Sequence, residues 1–199
     1  FGSRSKAPWN CKPAAFPSLA ASVLPSRMPA AAMDRERFLE LFGGVYEKSP
    51  WIVERGWDDV LSKEPEFDID ALAGKLAPIV DAGSHEEKLA LLRAHPELTS
   101  KVETHKTLSS ESNSEQRGAG LDQCTPEEAS KLHELNAKYS EKFKFPFIIA
   151  VTGLNQAMII DAMSQRVNNE AAEEFETAIK NVHKIAAIRI GQIQKRENL

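Results

Sequence analysis

The chain has 199 residues, of which 42% are apolar and 27% charged, a composition ordinary for a soluble globular protein with one sizeable core. A formal net charge of -4 without a clustered basic stripe argues against nucleic acid as the main partner. No apolar run reaches the ~18 residues of a membrane span. The two cysteines, Cys11 and Cys124, form neither a disulfide framework nor a metal motif, which favours a reducing compartment.

Residues 1–32 differ in composition from the rest of the chain. They are rich in Ala, Pro and Ser, contain Arg and Lys without any acid, and show no sustained hydrophobic period. Such a composition resembles a transit peptide, and a leader or a disordered tail explains it equally well. We therefore expect a leader or flexible tail over 1–32 and a single domain over 33–199.

From Asp34 onward the hydrophobic spacing is helical along almost the whole chain. Apolar residues at i, i+3, i+4 and i+7 predict a first helix over 38–45. Ser49 and Pro50 supply an N-cap and a proline at the first helical position, which predicts a short second helix. The composition of 69–80 predicts a third.

A histidine is predicted at the end of the fourth helix. Ser84 and Glu87 form a capping box that starts this helix. Pro96 lacks a backbone N–H and restricts the residue before it, so the helix should end near His95. The helix dipole favours a protonated imidazole there, whereas burial would oppose it, and the pKa of His95 stays open. His95 is a candidate for proton transfer, or else a surface histidine at a helix end.

A polar helix follows, with Ser109 or Ser110 as its cap. Within it Ser112, Glu115 and Gln116 stand at i, i+3 and i+4 and share one face. This hydroxyl, carboxylate and amide suit a polar, nitrogen-rich small molecule. The spacing of Ser112 and Glu115 is also that of a capping box on a solvated helix face.

Caps also mark the later helices. Thr125 and Glu128 form a capping box with Pro126 at the first helical position. Asn155 opens another helix, and Asn169 is expected to cap the last long one. The pattern as a whole predicts an all-α fold.

One run in the chain is strand-like, namely Phe147-Ile148-Ile149-Ala150-Val151. It could be a buried strand or an extended connector between helices. A lone strand has no ladder partner, so its amides would need other acceptors. A connector that presents backbone N–H and C=O groups to a ligand would resolve this difficulty.

The last helix carries an apolar stripe from Phe175 to Ala186, and the next member of the series is Arg189. A guanidinium on a core-facing stripe is costly unless an anion or several acceptors meet it. Arg189 therefore binds an anionic ligand, or it extends past the core edge or pairs with a structural carboxylate.

Several motifs together resemble the OHCU decarboxylases, which act on 2-oxo-4-hydroxy-4-carboxy-5-ureidoimidazoline in urate degradation. They occur in family order over 34–190, although each is weak alone. They are Ser49-Pro50-Trp51, His95-Pro96-Glu97-Leu98, Glu111-Ser112-x-x-Glu115-Gln116-x-x-Ala119-Gly120, Leu135-Asn136-x-x-Tyr139, Phe143-x-Phe145-Pro146-Phe147-Ile148-Ile149 and Ile188-Arg189-Ile190. The chain departs from the pattern at Glu97, where aspartate is common, and at Thr99-Ser100, where Ala-Gly is frequent; the latter leaves the local loop shape in doubt.

The resemblance implies a single-domain helical bundle with an extended connector, usually a homodimer. It also implies cofactor-independent conversion of OHCU to (S)-allantoin. By motif position the resemblance implies that His95 and Glu115 are catalytic. It likewise implies a set of substrate-binding residues, Pro96, Ser112, Gln116, Phe147, Ile148, Ile149, Ala150, Val151 and Arg189.

Two other functions compete with this interpretation. A metal-dependent hydrolase would use His85, His95, His105 and nearby carboxylates, although their spacing matches no ligand motif. A helical module of this fold would bind ureides without turnover. We expect a cytoplasmic location, since the C-terminal Glu197-Asn198-Leu199 is not a peroxisomal SKL-type signal.

Overall fold

The computed structural model describes residues 27–29, 33–59, 61–63, 66–99 and 108–199. This described part is all-α, as the sequence predicts, and contains eight α-helices. Their bounds are α1 Arg35–Phe42, α2 Trp51–Asp59, α3 Leu72–Asp81, α4 His85–Ala94, α5 Ser110–Gly118, α6 Pro126–Phe143, α7 Gln156–Arg166 and α8 Ala171–Glu197. Short 3-10 turns cover Leu61–Lys63, Ile69–Ala71 and Leu121–Gln123. No helix in these ranges is both long and apolar enough to cross a membrane.

A two-stranded antiparallel ladder accompanies the helices. Strand β1, Arg27–Pro29, pairs with β2, Glu66–Asp68, and Met28 lies opposite Phe67. Strands of three residues cannot form a sheet layer, so the ladder leaves the fold class unchanged. The rest of the predicted leader or tail, 1–26 and 30–32, lies outside the described residues.

The long helix α8 is the element against which the core assembles. It contacts α1, α3, α4 and α6. Its apolar stripe is buried as predicted from Ala178 to Ala186, and the stripe continues through Arg189, which is 2% exposed, to Ile190. The predicted face of α1 is buried as well, although the helix ends at Phe42, and Val45 is buried in the turn that follows.

The predicted caps are formed at four helices. Ser84 with Glu87 and Thr125 with Glu128 make both hydrogen bonds of a capping box. The Ser109 side chain accepts from the Ser112 amide at the start of α5, and Asn155 caps α7. These four caps are local, because each satisfies amides only three residues away.

The predicted cap of α8 is wrong. Glu170, not Asn169, occupies the N-cap position, and it makes no side-chain capping bond. The Asn169 amide donates instead to Glu174 Oε2, over 2.8 Å. Glu174 is fully buried and also accepts from Arg166 and Tyr139. The buried Glu174 carboxylate needs hydrogen-bond donors, whereas the exposed backbone N–H groups at the start of α8 can bond to water. The Asn169 side chain therefore binds the carboxylate instead of capping the helix.

The strand-like run 147–151 is an extended connector between α6 and α7. It makes no strand ladder with any described residue. Arg166 fixes its start, since the guanidinium donates to the Ile148 carbonyl over 2.9 Å and stacks 4.4 Å above the Phe147 ring. Arg166 is in turn paired with the buried Glu174 at 2.6 Å. The connector is therefore held by side chains, and among the described residues most of its backbone amides have no acceptor.

Candidate active site

A cleft opens where the C-terminal end of α4, helix α5, the 147–151 connector and α8 meet. It offers ≈ 30 Å³ of space to a water-sized group, within ≈ 350 Å³ of space between protein atoms that includes open solvent. Its lining comprises His95, Pro96, Leu98, Ser112, Glu115, Gln116, Phe147, Ile148, Ile149, Val151, Ile185 and Arg189. Apolar walls with a few convergent polar groups are typical of a small-molecule site.

The structure brings together all but one of the side chains and backbone groups that the sequence singles out. Ala150 does not line the cleft, and its amide donates to Asn181 Oδ1 over 3.3 Å. Leu98 and Ile185 are additional apolar members of the wall. The roles of these residues stay predictions; their proximity is a property of the fold.

His95 sits at the C-cap of α4, as predicted, and is 8% exposed. Its Nδ1 lies 2.9 Å from the Leu91 carbonyl oxygen, which only accepts hydrogen bonds, so Nδ1 carries the proton. Burial lowers the pKa of His95; the Leu91 carbonyl and Glu47 oppose this, and Arg189 adds to it. The imidazole is therefore neutral near pH 7, with Nε2 as the nitrogen that can accept a proton.

Arg189 is the centre of a buried hydrogen-bond cluster. Its Nε and Nη2 donate to the two carboxylate oxygens of Glu115 over 2.7 and 2.9 Å, which is a bidentate ion pair. Nη2 also donates to Ser112 Oγ over 3.1 Å, and Nη1 donates to Glu47 Oε2 over 3.1 Å and to the Gly44 carbonyl over 3.4 Å. All five N–H groups therefore have protein acceptors, and structural carboxylates account for the charge on the apolar stripe.

Glu47 is the member of this cluster that sequence reasoning missed. It lies in the turn after α1, is 2% exposed, and accepts from Ser112 Oγ over 2.8 Å and Ser109 Oγ over 3.1 Å. Burial raises the pKa of Glu47, but the hydrogen bonds from both serines and the charge of Arg189 outweigh it and lower the pKa. Acidic residues in turns are common on protein surfaces, so nothing in the sequence around Glu47 indicated that it would be buried.

Glu115 faces the cleft from α5 while Arg189 fixes its carboxylate. Its side chain is 14% exposed, against 3% for the guanidinium. Among the described residues Glu115 makes no hydrogen bond to His95. The carboxylate is thus rigidly placed in the cleft, with its orientation set from behind by Arg189 rather than by the imidazole.

Gln116 and Asn136 hold the segment that follows His95. The Gln116 side chain donates to the Glu97 carbonyl and accepts from the Thr99 amide, both over 3.1 Å. Asn136, on α6, donates to the Leu98 carbonyl over 2.7 Å. These bonds fix the backbone beside the imidazole. Gln116 and Asn136 therefore shape one wall of the cleft through its main chain.

The described residues contain no group of three His, Cys, Asp or Glu side chains placed to hold a metal ion. Of the histidines considered for a metal site, His95 lines the cleft and His85 lies elsewhere, stacked on Phe175. His105 lies outside the described residues.

Comparisons with known proteins agree with the motifs. The OHCU decarboxylase family model matches residues 31–191. The chain is similar to the 2-oxo-4-hydroxy-4-carboxy-5-ureidoimidazoline decarboxylase of Halalkalicoccus jeotgali, at 39% identity over 80% of this chain and 86% of the relative. The enzyme of the same name from Haloferax volcanii is 36% identical over 80% of this chain and 90% of its own.

Two solved structures are also similar. A crystal structure of (S)-allantoin synthase matches at a TM-score of 0.64 and 29% identity, over 81% of this chain. The chain spans about half, 51%, of that protein. A crystal structure of OHCU decarboxylase in the presence of (S)-allantoin matches at a TM-score of 0.58 over 80% of this chain and 98% of that one. At 18% identity, this second likeness concerns the fold.

Proposed function

The chain belongs to the OHCU decarboxylase family, and from that premise we propose how its cleft carries out the reaction. The activity is a carboxy-lyase reaction of urate degradation, the decarboxylation of OHCU to (S)-allantoin. One observation carries the assignment of roles: the buried imidazole of His95, bonded through Nδ1, faces the same cleft as the carboxylate of Glu115, which Arg189 holds in place.

The substrate supplies its own electron sink. The bond to the carboxylate breaks, carbon dioxide leaves, and the released electron pair passes into the adjacent imine-like centre of the ring. The ring nitrogen that receives the electron pair becomes protonated. Two further proton transfers complete the reaction: a proton adds to one face of the carbon that bears the ureido group, and the neighbouring hydroxyl loses its proton, so the reaction takes up one proton in total. The protein has to supply orientation, donors for developing negative charge, and these two proton transfers.

We assign the proton on carbon to His95. Because Nδ1 is committed to the Leu91 carbonyl, Nε2 is the nitrogen that accepts the proton released by the substrate hydroxyl and then delivers it to one face of the ring. Delivery from a fixed nitrogen would yield one enantiomer. Since Glu115 makes no bond to His95 among the described residues, we place its carboxylate at the substrate hydroxyl.

Arg189 and the connector would hold the substrate's oxygens and nitrogens. The five N–H groups of Arg189 already have acceptors, so its main contribution is to fix Glu115 and Ser112. A direct contact with a substrate oxygen would replace its longest bond, 3.4 Å to the Gly44 carbonyl. Within the described chain the amides of Ile149 and Val151 have no acceptor and are available to the ureido and ring groups.

The test follows OHCU, generated in situ from urate by upstream enzymes, by circular dichroism as optically active allantoin appears, with EDTA present. We expect the (S) enantiomer with the unmodified protein and a rate lower by about 10²–10⁴-fold with His95→Ala, the usual contribution of general acid–base catalysis. His133→Ala, an exposed histidine on α6, is the matched control and should keep full activity.

The same assay separates the competing function. If the unmodified protein leaves the spontaneous rate unchanged yet binds allantoin saturably, the chain is a ureide-binding module without turnover. A fully active His95→Ala protein would leave the reaction in place and remove His95 from its central role.

We further propose that residues 33–199 carry the function, as a homodimer in the cytoplasm. The family match over 31–191 supports the domain boundary. The homodimer and the compartment stay predictions from the resemblance and the sequence. Light scattering on the purified protein measures the first, and imaging of tagged protein in its host cell measures the second.

A further inference from the structure

A second cleft lies between α4, the end of α6 and the start of α8, and it shares no lining residue with the candidate active site. Its volume is ≈ 590 Å³, within the range of about 300–1,000 Å³ usual for small-molecule sites. Three phenylalanines form its apolar surface: Phe143 and Phe145 are buried, and Phe175 is half-buried. The exposed His85 ring stacks on Phe175 at a centroid distance of 4.7 Å, so a flat ligand ring would stack on the outer face of His85 or take its place on Phe175.

The cleft is strongly cationic on a chain whose net charge is -4. Lys88, Arg93, Lys142 and Lys144 line it, against a single carboxylate, Glu176. Within the described part of the chain neither Lys88 nor Lys144 has an ion-pair partner. No carboxylate in the described part of the chain therefore neutralises these two charges, which lie at the edge of an apolar surface.

Two of the cations are held in place by backbone carbonyls. Lys142 Nζ donates to the carbonyls of Val167 and Asn169 over 3.0 and 2.7 Å. Arg93 Nε donates to the Lys144 carbonyl over 3.0 Å, and within the described part of the chain both terminal nitrogens of the guanidinium stay available to a ligand. This fixed placement lowers the ordering cost of binding an anion.

From these contacts we propose that the second cleft binds a small organic anion with a flat ring. The ring stacks on His85 or takes its place on Phe175, and the anionic group meets Arg93, Lys88 and Lys144. The site goes beyond the proposed decarboxylation, because none of these residues lines the first cleft.

The probe is 2-naphthoate, with neutral 2-naphthamide as its isostere, titrated calorimetrically at low and high salt. We expect saturable binding of naphthoate that weakens with salt, and much weaker binding of the amide. Lys88→Gln and Lys144→Gly should each weaken naphthoate binding about three-fold, the scale of an exposed charge contact. Glycine suits the second position, because Lys144 has φ 65°.

Three controls accompany the titration. Lys180→Gln, an exposed lysine elsewhere on α8, should bind naphthoate like the unmodified protein. His95→Ala should do so as well, which separates this site from the first cleft. Lys88→Gln and Lys144→Gly should both decarboxylate OHCU at the rate of the unmodified protein. The naphthoate titration does not depend on this reaction, so it tests the second cleft even if the proposed decarboxylase activity is wrong.

Absence of binding, or equal binding of naphthoate and the amide, would overturn the proposal. Equal affinity in the two lysine variants would do the same. A fourth outcome points to a second copy of the chain: if naphthoate fails to bind and both lysine variants dissociate a dimer seen by light scattering, the cleft is a subunit interface and the anion site is wrong.

Discussion

Glu47→Gln is the sharpest test of the buried cluster, because it removes one charge and little volume. The carboxylate accepts from Ser109, Ser112 and Arg189 and is 2% exposed. Removing one member of a buried ion pair costs about 3–5 kcal/mol. Arg189 keeps its bidentate contact with Glu115, so we expect a loss of about 2–3 kcal/mol, at or below the lower bound of that range. Thermal unfolding should move down by about 5–10 °C for a chain of this size.

The assay is urea unfolding at several pH values. The pKa of Glu47 is lowered in the fold from 4.5, so its charge stabilises the protein above that value and the stabilisation is lost as pH falls through the folded pKa. The difference between the unmodified protein and Glu47→Gln should therefore be largest near pH 7 and shrink below pH ~4.5. Glu141→Gln, an exposed residue on α6, is the matched control and should change stability by less than about 0.5 kcal/mol.

A second readout of the same variant reports on His95. Glu47 raises the pKa of His95, and Arg189 opposes it. Glu115 lines the same cleft and is unchanged in the variant, so its effect on His95 is the same in both proteins. Loss of the Glu47 charge should therefore shift the acid limb of the pH–rate profile to lower pH. If neither the stability nor the acid limb changes, Glu47 is not an ionised partner of Arg189 and the account of the cluster is wrong.

Three further predictions concern single groups. Activity of the unmodified protein should fall on acidification only below pH ~6.5, because burial lowers the pKa of His95 and Nε2 must be unprotonated; an acid limb above that value would contradict the lowered pKa. Glu115→Gln should lose some stability, because it weakens the ion pair with the buried Arg189, yet remain folded and lower both kcat and KM in the allantoin assay. Thr125→Ala should lose about 1 kcal/mol of stability, measured by urea unfolding, because Thr125 Oγ1 no longer accepts from the Glu128 amide. Its kcat should be unchanged, since neither residue lines the candidate active site.

Local chemistry explains why so much of the site was predictable. The position of His95 follows from Pro96 one residue later, and the shared face of Ser112, Glu115 and Gln116 follows from the Ser109 cap. Each inference spans fewer than eight residues, where backbone sterics and helical period dominate. The family motifs then placed these local pieces in one cleft.

Long-range pairing explains what was missed. Glu47 meets Arg189 across 142 residues of sequence, and no periodic pattern links them. The stripe on α8 did flag Arg189 as anomalous, but spacing alone could not choose between a ligand and a structural carboxylate. The prediction of Asn169 as a cap was wrong for a similar reason. Its side-chain amide binds Glu174, and the burial of Glu174 is visible only in the folded structure.

The charge in the cluster suits a reaction that removes charge. As carboxylates, Glu47 and Glu115 place two negative charges against the single guanidinium of Arg189, and the substrate adds another carboxylate. Decarboxylation consumes a proton and turns that carboxylate into neutral carbon dioxide, so a negative site favours the products over the bound substrate. Glu115→Gln relieves this repulsion in the ground state and should bind the substrate more tightly while turning it over more slowly. A raised KM would instead show that Glu115 attracts the substrate chiefly as a hydrogen-bond acceptor.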